Sequence, residues 1–245
     1  MRTVIKGGLV CLPSDPTHLD IAVENGVITE IAENLDVGDD FLIDACGMVV
    51  VPGGIDPHTH MDLQQSPKYR ACDTFLTGGI AAACGGTTTI IDHIAFGPPG
   101  CTLRQPLDVY WDLAKDCPID YSFHGVLQHV DMDILDELGE LIDAGFPSFK
   151  AYTTYGFPLM EAGLMPVLRV MRERAGLLTV HCESDVITNT LRRDLGAGEQ
   201  EPIEHALTRP NIAEAMSVNM LLSIARAAGD APAYIVHLSA HESLD

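Results

Sequence analysis

The chain has 245 residues, with Asp+Glu 35 against Lys+Arg 14 for a formal net charge of −21, and it is 47% hydrophobic and only 20% charged. That apolar fraction excludes a disordered polymer and supplies a core for one large α/β domain or two smaller ones. The acidity disfavours nucleic acid and anionic membrane as partners, because both bind through basic surfaces. The opening MRTVIKGGLV lacks a signal core, and no run of about 18 apolar residues offers a membrane span. The seven cysteines include no CxxC pair, which reads as reduced thiols and a cytoplasmic protein.

Residues 1–50 predict short strands at 3–5, 19–23, 27–31 and 41–44, forming a small N-terminal β domain without chemistry of its own. Glu24-Asn25-Gly26 between two of these is a two-residue hairpin signal. From residue 51 to 245 the pattern alternates strand and helix. Strands are predicted at 49–56, 87–92, 121–128, 148–152, 177–181 and 233–238, and helices at 74–84, 107–116, 132–144, 161–174, 185–195 and 212–228. Glycines at 85, 145, 176 and 229 mark helix C-termini. Strands rich in Val, Ile and Thr, each followed by a helix, predict a parallel sheet, and six such units favour a TIM-type (β/α)8 barrel over an open sheet. No GxGxxG follows the first strand, which counts against dinucleotide binding. A closed barrel of this type has eight strands, so the expectation is a barrel truncated after about six βα units.

Chemistry gathers at the predicted strand ends. In VVPGGIDPHTH, His58 and His60 are spaced i, i+2, so on a strand they face the same way and can share one metal ion. Lys150 lies in the apolar PSFKAYT. A lysine there usually snorkels or pairs, but a desolvated one is a nucleophile, or takes up carbon dioxide as a carbamate able to bridge two metals. His181 in LLTVHCE and His237 in YIVHLS each end an apolar strand. One such histidine is more often structural. Four histidines and a lysine at strand ends of one barrel instead point to a site for two divalent ions, zinc or a neighbour of zinc. His93, His124 and His129 read as pocket or outer residues, His18, His205 and His241 carry less signal, and Cys182 faces away from the ligand side.

These stretches, with DTFLTGGIAAACGGTTTIIDH, IDYSFHGVLQH and IEHALTRP, run in order through nearly the whole chain and resemble the dihydropyrimidinase/hydantoinase family of cyclic amidohydrolases, bacterial D-hydantoinases and phenylhydantoinases in look. The resemblance implies a binuclear metal-dependent hydrolase that opens hydantoins or dihydropyrimidines to N-carbamoyl amino acids. By that likeness His58 and His60 hold the first metal, carboxylated Lys150 bridges both, and His181 and His237 hold the second. Tyr155, five residues after Lys150, matches the tyrosine that steadies the oxyanion, so Lys150 and Tyr155 are the expected catalytic residues. Leu63, Phe96, Tyr155 and Phe157 are expected to line the substrate pocket and favour aryl- or alkyl-substituted rings. A homotetramer is also implied.

Two departures stand out. The family's metal-bound aspartate comes from the eighth strand, and no position here matches it. Where family members commonly read HAEN, this chain reads His181-Cys182-Glu183-Ser184. Dihydroorotase-like sequences place an arginine just after HxH, whereas this chain continues Met61-Asp62-Leu63, which favours an uncharged ring substituent. The alternatives are an allantoinase- or dihydroorotase-type amidohydrolase, or a catalytically silent scaffolding relative.

Overall fold

The computed structural model describes residues 2–66, 68–196 and 201–244. The chain divides into two units, one ending at Gly54 and the other beginning at Ile55.

In the first unit, β1 (Arg2–Val10), β2 (Thr17–Glu24), β3 (Val27–Ala32) and β4 (Phe41–Asp44) lie in the order β3-β2-β1-β4, with β5 (Val49–Val50) also pairing β1. The β2–β3 hairpin turns through Asn25 at φ 52 and Gly26 at φ 78, the double left-handed geometry that an Asn-Gly pair adopts with little strain. The buried Asp20 carboxylate ties the sheet together. It accepts from Gly7 N at 2.8 Å, from Leu35 N at 2.9 Å and from Lys6 Nζ at 3.0 Å.

In the second unit, β6 (Gly54–Thr59) is followed by a small hairpin, β7 (Gln64–Ser66) and β8 (Tyr69–Arg70). Strand and helix then alternate: α1 (Phe75–Cys84), β9 (Thr87–His93), α2 (Arg104–Leu113), β10 (Asp120–Val126), α3 (Met132–Asp143), β11 (Ser148–Tyr152), α4 (Glu161–Arg174) and β12 (Leu177–His181). Three helices, α5 (Asp185–Asp194), α6 (Pro202–Leu207) and α7 (Asn211–Ala227), precede β13 (Ala233–Ile235). The sheet order is β13-β12-β11-β10-β9-β6, and the pairs from β9 to β13 are parallel. It is a parallel half-barrel, as six βα units in series imply, with β6 and β13 at its two edges.

Helix starts follow local chemistry. Thr74 and Thr77 form a reciprocal capping box on α1, Asp131 caps α3 and Ser184 caps α5, each side chain accepting an otherwise orphaned backbone N–H. The helices bury Leu138, Leu164, Leu168, Met171 and Leu221 against strand residues such as Phe149 and Leu178. Each such side chain contributes roughly 1.5–3 kcal/mol on leaving water.

Several expectations need correction. The run at 49–56 is not one buried strand: β5 belongs to the first sheet, the chain breaks at Pro52-Gly53, and β6 carries His58 in the second. Val49 and Ile55 are 61% and 66% exposed, Ile55 because an edge strand has only one neighbour. The last strand stops at Ile235, and His237 follows in a turn at φ 36. The glycines do stand at helix ends: Gly85 is the C-cap of α1 and Gly176 follows the C-cap of α4, although the left-handed residues there are Gly86 and Ala175.

Candidate active site

Most of the predicted ligands come from strand ends on one side of the half-barrel. His58 sits in the last turn of β6, with His60 just beyond it; Lys150 is inside β11, His181 ends β12, and His237 follows β13. All five line one cavity of about 930 Å³. The imidazoles form a continuous run, with ring centroids 5.3 Å apart for His58–His60, 5.4 Å for His58–His237 and 4.8 Å for His181–His237. His58 and His237 belong to opposite edges of the sheet, so their closeness measures how strongly the sheet curls.

Burial sets the protonation of these groups. It lowers the pKa of His58 to about 4, aided by the charge of Lys150, and it lowers His60 and His237 as well. Lys150 is 1% exposed, and desolvation brings its ammonium down to about 7. Its Nζ has no hydrogen-bond acceptor among the described residues and lies 5.1 Å from the Tyr152 ring. A buried amine near neutrality beside uncharged imidazoles is a cluster of lone-pair donors, the donor set that divalent zinc-like ions take.

Among the described residues, no three of His, Cys, Asp or Glu converge closely enough to hold an ion by themselves. The four imidazoles, in a run of near-equal spacings, share the cavity with Lys150, a donor set large enough for two ions if the lysine contributes to both. In the His181–His237 pair, Nδ1 of the first is 3.1 Å from Nε2 of the second, a spacing two ligands of one ion can adopt.

Around this run lies a layer that the sequence singled out only in part. His93, 1% exposed, is edge-on to His58 at 4.3 Å and stacked on His124 at 4.2 Å, and its backbone oxygen lies 3.2 Å from His60 Nδ1. His124 Nε2 lies 3.0 Å from Pro57 O, and its Nδ1 pairs with Ser148. Asp92 is fully buried and accepts from Thr59 Oγ1 and Met61 N, both at 2.7 Å, so it grips the residues on either side of His60. Burial raises its carboxyl to about 6. Cys182 is buried away from the cavity, its thiol pushed up to about 12.

The expected pocket residues divide. Leu63, Phe96 and Tyr155 line the cavity; Phe157 does not, and packs on Phe96 at 5.0 Å between ring centroids. Tyr155 holds φ 72, a left-handed conformation that aromatic residues rarely adopt, and sets its ring 4.9 Å from His181. Two cavity residues had little or no sequence signal. One is His205 of α6; the other is Arg70 of β8, which is ion-paired to the buried Asp62. Glu183 and Arg209, also unread, flank His181: Glu183 Oε2 is 2.7 Å from His181 Nε2 and is bonded by Arg209 Nη1. Burial alone would raise the Glu183 carboxyl, but the hydrogen bond to His181, together with the charge of Arg209, holds it below the usual range.

The chain is 43% identical over 248 residues to D-phenylhydantoinase of Escherichia coli O139:H28, covering 100% of this chain and 54% of that protein. The solved dihydropyrimidinase of Brevibacillus agri superposes with TM-score 0.93 at 31% identity, over 100% of this chain and 53% of that one. This is a relative of the hydantoinases and dihydropyrimidinases. The D-hydantoinase (dihydropyrimidinase) of Thermus sp. superposes with TM-score 0.92 at 31% identity, over 99% of this chain and 54% of that one. No family model matches the chain. It spans about half the length of the curated hydantoinases it matches. Among the described residues, no helix is long and apolar enough to cross a membrane.

Proposed function

We propose that this chain supplies the metal-binding part of a cyclic amidohydrolase that opens hydantoin or dihydropyrimidine rings to N-carbamoyl amino acids. The observation that carries this is the placement of four imidazoles and a buried lysine, its pKa brought down to about 7, on one cavity of about 930 Å³. His58 and His60 would hold one divalent ion and His181 and His237 a second, zinc in both places, with Lys150 between them as its carbon dioxide adduct. When bound, the ions polarise the ring carbonyl and acidify water. The chain's own residues do the rest. Tyr155 donates a hydrogen bond where negative charge develops on the carbonyl oxygen, while Leu63 and Phe96 exclude water around the ring substituent.

The cavity favours uncharged, aryl- or alkyl-bearing rings over carboxylated ones. Its arginine, Arg70, is already paired with Asp62, so it is not free to hold a substrate carboxylate as dihydroorotate needs. Residues 1–50 are assigned no part in the chemistry. The seven thiols, all free, suit the reducing cytoplasm, and by family likeness the assembly is a homotetramer.

The test is metal content. Protein loaded with zinc in bicarbonate buffer is expected to retain close to two ions per chain by elemental analysis, and ¹³C-bicarbonate is expected to label Lys150. Retention near zero would leave the silent scaffolding reading in place of this one.

A further inference from the structure

His181 is held from behind by a device that the two-pair arrangement alone does not require. Glu183 Oε2 lies 2.7 Å from His181 Nε2, while His181 Nδ1 faces His237 Nε2 at 3.1 Å. A carboxylate accepts hydrogen bonds and does not donate them, so the nitrogen facing it carries a hydrogen, and in the neutral ring the lone pair then falls on Nδ1. The carboxylate is itself fixed. Arg209 Nη1 binds the same oxygen, and both side chains are only 14% exposed. Thr153, fully buried, accepts from Glu183 N at 2.9 Å and from Ser217 Oγ at 3.0 Å, which locks the backbone beneath the pair. The Arg209 guanidinium also stands 5.4 Å from the Tyr155 ring centroid, so one cation touches both the ligand's support and the tyrosine.

We propose that Glu183 and Arg209 are a positioning pair: together they fix His181 as its Nε2–H tautomer, so that Nδ1 is the atom presented to the cavity beside His237. Glu183 supplies the acceptor, and Arg209 keeps that acceptor from swinging away. Neither touches substrate or ion.

The experiment uses two-bond ¹⁵N–¹H correlation spectra of the metal-free protein with labelled histidine, the His181 signals assigned by their loss in His181→Asn. The native protein is expected to show His181 as Nε2–H. Glu183→Gln, which keeps an acceptor in place, is expected to retain that form, and Glu183→Leu to lose it. Should the leucine variant fail to fold, Arg209→Met is read in its place and is expected to shift the tautomer mixture in the same direction. An unchanged His181 spectrum in the folded variant overturns the proposal. A second arm rests on the metal-binding reading above: zinc affinity is expected to fall about 10–100-fold in the same variant, as loss of outer-shell support generally produces, with recovery in Glu183→Gln. If the native protein takes up no zinc, that reading fails, while the tautomer arm still decides this proposal.

Discussion

Lys150 concentrates the electrostatic tension of the molecule. Burial brings its pKa in the folded protein to about 7, below the ordinary lysine value of 10.5. Between those values the unfolded chain holds a proton that the folded chain lacks, so stability rises with pH across this window. His58 works in the same sense at lower pH. Its folded value, about 4 against 6.5, means that stability is lost as pH falls between the two. Lys150→Met should therefore stabilise the metal-free protein at pH 7 by on the order of 3 kcal/mol. Urea midpoints at pH 7 and pH 10 are the check. The native chain should gain across the interval, whereas the variant should lose most of that gain; parallel curves for the two proteins would contradict this. The histidines proposed as ligands and Lys150 were legible in the sequence by local pattern: His58 and His60 by their i, i+2 spacing, and Lys150, His181 and His237 by standing within or just after apolar runs. Glu183, Arg209 and Asp92 were not, because their roles come from contacts across the fold. Arg209 reaches Glu183 across 26 positions and Asp92 reaches Met61 across 31, and nothing in the local pattern announces either contact.

At the scale of elements, β10 and β11 pair where a glycine makes room for an aromatic ring. Gly125 is paired with Phe149, and a Cβ there would lie 2.5 Å from Phe149 Cδ1 and 2.6 Å from Cε1. Phe149 is fully buried, with the Phe146 ring 5.5 Å away between centroids. Gly125→Ala should therefore destabilise by about 1–3 kcal/mol, as overpacking a filled core does. Because the next rung pairs Val126 with Lys150, the same change should weaken zinc retention, and calorimetry together with elemental analysis reads both effects. Full stability with full zinc retention would show that the strands can separate at no cost. The long elements were readable because apolar periodicity is strong in them. The β7–β8 hairpin was not, since Gln64, Gln65 and Ser66 offer no apolar alternation. Helix α6 has a proline in its first turn and a capping box from Glu201 to Glu204, but six residues are too few for a helical stripe to emerge.

For the whole molecule, two forces oppose one another. Among the described residues the half-barrel presents two unpaired sheet edges, β6 and β13, with Ile55 66% and Tyr234 55% exposed, and such edges invite pairing between copies. The net charge of −21 keeps copies apart. Screening should tip the balance: sedimentation is expected to show larger assemblies as sodium chloride rises to about 0.5 M, where the Debye length is only a few ångströms. Ile55→Lys, which places a charge on the edge, should suppress that growth, and equal growth in both proteins would locate the contact elsewhere.

The run of imidazoles also has a history in time. His58 and His60 belong to the first strand of the half-barrel and His237 to the turn after its last, so the ribosome delivers the two pairs far apart. At roughly 5–20 residues per second, about 10–35 s pass between His60 and His237. On the metal-binding reading proposed above, the first pair is throughout that interval a weak chelator without its neighbours, open to whichever divalent ion is most abundant nearby. If the two pairs hold metals as proposed, discrimination among ions can begin only once His237 has emerged and β13 has docked, so a preference for one ion is a property of the assembled sheet and not of the His58–His60 pair.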